Sequence, residues 1–178
     1  MYDLHSILIQ LKKEDTPLHG VMVRCVRCFY QWLDPTLWEG SALFELWVQE
    51  LELIYGDLRQ RLSPNAKTDA GSLGDRFGFD TPPELPRLLQ SIQTFYSVLI
   101  KLIAWNTLRG ATPEPPLTEL LSGRAFVNRG IRNFCGDDWY IWPLDIWDPA
   151  LETQCEELRA CLEAFDTCPE GSTLSPDS

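Results

Sequence analysis

The sequence predicts a mainly α protein: an irregular helical bundle around a central hydrophobic helix, with an aromatic-rich connector. Three observations predict it. Apolar residues recur every three or four positions in several long segments, and no stretch alternates apolar with polar as a half-buried strand would. Proline and capping residues stand at the edges of those segments. Hydrophobic residues make up 44% of the 178 positions, enough to build a core and too many for a disordered chain.

Residues 1–15 read as an N-terminal segment in which "ILIQLKK" fits either a short strand or the first turns of a helix. As a strand, Gln10-Leu11-Lys12 would resemble the end of a nuclease strand left from a preceding module. That chemistry needs an upstream aspartate on a strand, and Asp3 alone precedes it, so surface residues are the plainer reading. Thr16-Pro17 opens the helical domain, expected over 16–166, because proline at the first helical position loses no hydrogen bond. Val21, Cys25, Cys28, Phe29 and Trp32 follow at helical spacing, and Asp34-Pro35 ends the run.

In "SALFELWVQELELIYGDLRQRL" the residues Phe44, Trp47, Val48, Leu51, Ile54, Tyr55, Leu58 and Leu62 form one stripe, and Glu45, Gln49, Glu52 and Arg59 face away. Residues 63–83, rich in Gly, Pro, Ser and Asp, are expected to be a loop. The next helix carries the stripe Leu85, Leu88, Leu89, Ile92, Phe95, Tyr96, Leu99, Leu102 and Ile103. From Phe95 to Trp105 it is apolar nearly all round, which predicts the central helix; Gly110 and the prolines at 113, 115 and 116 end it. A short helix is expected at "LTELLSG". The last helix begins at Asp148 as cap and Pro149, with Leu151, Cys155, Leu158, Leu162 and Phe165 inward. Residues 167–178 read as a tail or linker.

Charge and cysteine usage narrow the function. The net charge is −11, with residues 111–178 holding 4 basic and 13 acidic side chains. Nucleic-acid affinity comes largely from neutralised phosphates, so contact with DNA is expected only indirectly. No secretory leader or bilayer-length apolar run is read from the sequence, giving a soluble, cytoplasmic protein with no membrane partner. Six cysteines stand at 25, 28, 135, 155, 161 and 168. Cys25-Val-Arg-Cys28 has the spacing of a zinc or redox pair, yet it lies within a helix and lacks a second close pair, so thiols in an apolar stripe are expected. The two histidines, His5 and His19, both precede residue 20, and no phosphate-binding glycine loop occurs. Asp137-Asp138 read as a turn. No catalytic, cofactor-binding or metal residue is assigned.

The residues that stand out are in "GRAFVNRGIRNFCGDDWYIWPLDIW". Trp139, Trp142 and Trp147, with Phe134 and Tyr140, are expected to pack the connector onto the central helix, and what stays exposed would meet a partner. Arg124, Arg129 and Arg132 complete this candidate interface, either as helix-end and carboxylate partners or as phosphate contacts.

Several of these segments resemble a known family. The helix with Gln93-Thr94-Phe95-Tyr96 and Lys101-Leu102-Ile103-Ala104 is followed by a Ser-Gly turn, then by Gly130-Ile131-Arg132-Asn133-Phe134 and Asp138-Trp139. Together with "LFELWVQELELIYGDL", their order resembles the helical region of large restriction–modification enzymes that fuse an adenine-specific DNA methyltransferase to other modules. The resemblance spans residues 40–166. It implies a helical structural and docking module without the catalytic domain, as a fragment or split subunit. Its partner would be the catalytic methyltransferase domain or another protein. The family's glycine loop for S-adenosylmethionine and its Asn/Asp-Pro-Pro-aromatic loop are missing; Asp80-Thr81-Pro82-Pro83-Glu84 has the wrong order and no aromatic. S-adenosylmethionine is therefore expected only in the absent catalytic domain. The alternative is a free-standing acidic helical adaptor that binds a protein partner.

Overall fold

A computed structural model describes residues 4–34, 41–55, 69–108, 110, 112–135 and 139–163. It is mainly helical, with no strand among the described residues. The helices are α1 (Leu4–Lys12), α2 (Pro17–Trp32), α3 (Ser41–Tyr55), α4 (Asp69–Arg76), α5 (Leu85–Leu108), α6 (Leu117–Leu121), α7 (Arg124–Val127) and α8 (Pro149–Glu163), with a 3₁₀ turn at Trp142–Leu144. Helices α2, α5 and α8 pack on one another and form the heart of the bundle. The central position expected of α5 is thus shared with α2. By length and composition α5 could cross a bilayer, but here it is a core helix whose buried Lys101 bonds the Leu121 carbonyl within the bundle.

The ambiguous N-terminal segment is helical, not a strand: α1 packs on α2 and buries Ile7 and Leu11, so Gln10-Leu11-Lys12 is not the end of a nuclease strand. Thr16 joins the two helices. Its Oγ1 accepts from the His19 N–H (3.2 Å) as the cap of α2, and lies 2.6 Å from the carbonyl oxygen of Gln10, to which it can donate. The other end of α2 is capped from α5. Arg87 donates to the carbonyls of Tyr30 (2.6 Å) and Gln31 (3.1 Å), and its guanidinium lies 4.2 Å from the centre of the Tyr30 ring. Carbonyls at a helix end lack intrahelical partners; that of Gln31 also accepts from the Asp34 N–H (3.3 Å).

On α3 the buried residues are Phe44, Trp47, Val48 and Leu51, the expected stripe; Leu58, Arg59 and Leu62 lie outside the described residues. Residues 69–76 are helical, where a loop was expected. Two distant contacts make the difference. Gly74 is covered by Pro83, where an added Cβ would sit 2.6 Å from the proline Cδ. Phe77 is buried just beyond the helix, and Phe79 meets Tyr30 edge-on at 4.8 Å. Tertiary packing thus offsets the roughly 1 kcal/mol that a helical glycine costs.

Helix α8 begins as its sequence predicts: the Asp148 carboxylate accepts from the Leu151 N–H at 2.8 Å, behind Pro149. Its buried residues are Leu151, Cys155, Leu158 and Leu162; Phe165 and the tail lie outside the described residues.

Candidate functional site: a groove between α5 and the aromatic connector

Seen along α5, the apolar stripe is interrupted by a polar one. Gln90 and Thr94 stand one turn apart, as do Gln93, Ser97 and Lys101. Each of four of them holds another segment. Gln90 Nε2 donates to the carbonyl of Trp139 (2.8 Å), and the Tyr140 hydroxyl donates to Gln93 Oε1 (2.5 Å). The Trp142 indole N–H donates to Thr94 Oγ1 (2.9 Å), while that hydroxyl donates to the Gln90 carbonyl (2.8 Å). Lys101 Nζ donates to the Leu121 carbonyl at the end of α6 (2.7 Å), with the side chain only 3% exposed. The connector has little helix of its own, so its backbone groups need partners, and α5 provides one for the Trp139 carbonyl.

Aromatic burial supplies the rest of the hold. Trp142 is 0% exposed and meets Phe29 of α2 edge-on at 5.9 Å. Phe126 is fully buried between Trp105 (5.9 Å) and Phe134 (4.5 Å). Gly123 lets the chain fold this tightly. Its φ is +79°, and a Cβ there would lie 2.3 Å from the Phe134 carbonyl oxygen.

The candidate interface residues therefore divide. Trp142 packs the connector onto the central helix, as expected, and is so fully part of the chain's own core that it is not available to a partner. Arg129 closes the C-terminus of α5, donating to the Leu108 carbonyl (2.7 Å) and to Thr112 Oγ1, with its guanidinium 5.6 Å from the Trp105 ring centre. It is a helix-end partner, one of the two roles expected for it. Phe134, Trp139, Tyr140 and Trp147 are half-buried, whereas Arg124 and Arg132 are exposed. Asp137 and Asp138 lie outside the described residues.

What the connector leaves uncovered on α5 is a groove of about 360 Å³, walled by Gln93, Tyr96, Ile100, Asn133, Phe134 and Tyr140. Tyr96 (41% exposed) and Ile100 (54%) form its open edge. The sequence reading placed Tyr96 on the inward stripe, and the structure turns it outward. Gln93 and Asn133 were named only within the family resemblance, and Ile100 was not singled out at all. The polar residues at three- and four-residue spacing on α5 were the signal that could have found this face.

The cysteines are a separate matter. Cys25 and Cys155 are buried between α2 and α8, and Cys25 Sγ lies 3.5 Å from the Gln154 carbonyl. Burial, and then the neighbouring thiol of Cys155, hold Cys25 well above the usual thiol range. Burial first and Cys28 second push Cys155 up to about 12; burial and then Asp148 push Cys28 up to about 11. Such thiols stay protonated at neutral pH, which works against thiolate ligation or attack. Cys135 is exposed, unlike the apolar-stripe placement expected for the cysteines, and Cys168 lies outside the described residues. Among the described residues no three His, Cys, Asp or Glu side chains stand close enough together to hold a metal ion.

Set against protein-family models, curated proteins and solved structures, the chain matches none of them.

Proposed function

We propose that this chain is a non-catalytic helical docking module of a DNA adenine methyltransferase or restriction–modification system, present as a fragment or split subunit. Its task is to hold a protein partner, foremost the catalytic methyltransferase domain, with DNA met through that partner. The observation that carries the reading is the groove. A rigidly pinned connector and a core helix leave Tyr96, Ile100, Phe134 and Tyr140 at an open surface. Exposed apolar and aromatic side chains on a fixed scaffold are the usual anchors of protein recognition. The link to methyltransferases rests on the sequence resemblance alone.

The test is co-expression with the adenine methyltransferase polypeptide encoded beside this gene. A stable complex is expected, with methyl transfer from S-adenosylmethionine to DNA by the complex and none by the isolated chain. Methyl transfer by this chain alone, or the absence of any neighbouring methyltransferase frame, would overturn it. The alternative, an acidic adaptor, draws on the carboxylates of α8, where Glu152 is exposed and Glu157 is paired with Arg24 at 2.7 Å. It predicts a partner unrelated to methyl transfer.

A further inference from the structure

We draw no further inference here: the strongest candidate, the open groove between α5 and the aromatic connector at Tyr96, Ile100 and Phe134, belongs to the site already described, and nothing in the structure shows what covers it.

Discussion

Replacing Thr94 by valine tests how the connector is held. The substitution keeps shape and β-branching, so helix propensity barely changes. It removes the acceptor 2.9 Å from the Trp142 indole N–H, at a place where both side chains are fully buried. A buried donor left without an acceptor costs about 1–3 kcal/mol. The lost donation to the Gln90 carbonyl adds little, because that oxygen keeps its helical partner. A loss of about 2 kcal/mol is expected, which for a chain of this size lowers Tm by about 4–8 °C. Urea unfolding followed by far-ultraviolet circular dichroism measures it; tryptophan emission would mix seven indoles. The decisive form is a double-mutant cycle with Trp142→Phe. Once the indole N–H is gone, Thr94→Val should be close to neutral, giving a coupling of about 1–2 kcal/mol. Thr94→Ser is the control, since it keeps the oxygen and loses a buried methyl worth about 1 kcal/mol in either background. A coupling below about 0.5 kcal/mol would refute the claim that polar rungs, rather than apolar burial alone, fix the connector.

The remaining predictions concern backbone, thiols and charge. Gly123 and Gly130 share a left-handed conformation, at φ +79° and +76°, but only Gly123 has a carbonyl in the way of a Cβ. Gly130→Ala should cost about 1–2 kcal/mol from strain, and Gly123→Ala clearly more, by thermal unfolding of the pair. A disulfide reagent at neutral pH should modify Cys135 quickly and Cys25 and Cys155 only on the unfolding timescale. Because burial raises the thiols of Cys28 and Cys155 from the usual 9.0 to about 11 and about 12, the folded state keeps those protons longer than the unfolded one. Stability should therefore be indifferent to these groups below pH 9 and fall as pH rises above it, less steeply in Cys155→Ala. Arg87→Lys, which loses a planar fork serving two carbonyls and a ring, should cost about 1–2 kcal/mol, whereas Arg24→Ala, at an exposed ion pair, should cost under about 1 kcal/mol.

The parts of this fold that were legible in sequence are those whose cause lies within a few residues. Thr16-Pro17 and Asp148-Pro149 announce the starts of α2 and α8 because a cap acts across three positions, and both caps are made. Helix α4 was not legible, since Gly74 is covered by Pro83 and Phe77, just past the helix, is buried in the bundle, and neither contact is local. Tyr96 shows a different limit. On a helix whose apolar residues extend nearly all round from Phe95 to Trp105, the apolar periodicity alone does not say which arc is covered, and α5 leaves the Tyr96–Ile100 arc open. Trp142 and Trp139, on a connector without helical periodicity, also looked alike in sequence, although one is sealed in the core and the other only half-buried.

The aromatic connector and the polar stripe of α5 make sense only together. Among the described residues of 128–148 no helix is longer than a single turn, so this backbone lacks the internal hydrogen bonds that a helix would supply. Buried without partners, those groups would oppose the burial of Trp142 and Phe134. Gln90 answers the Trp139 carbonyl and Thr94 the Trp142 indole, while Lys101 and Cys135 answer carbonyls of the preceding turn at Leu121 and Gly123. The aromatics exclude water from these bonds, and the bonds give the aromatics a single register. The groove follows from the same arrangement. Once Gln93 has taken the Tyr140 hydroxyl, the connector is committed to one side of α5, and Tyr96 and Ile100 are left facing outward beside Phe134. An apolar face exposed by the very bonds that fix its neighbour is preorganised, so a partner reaching it has little left to order.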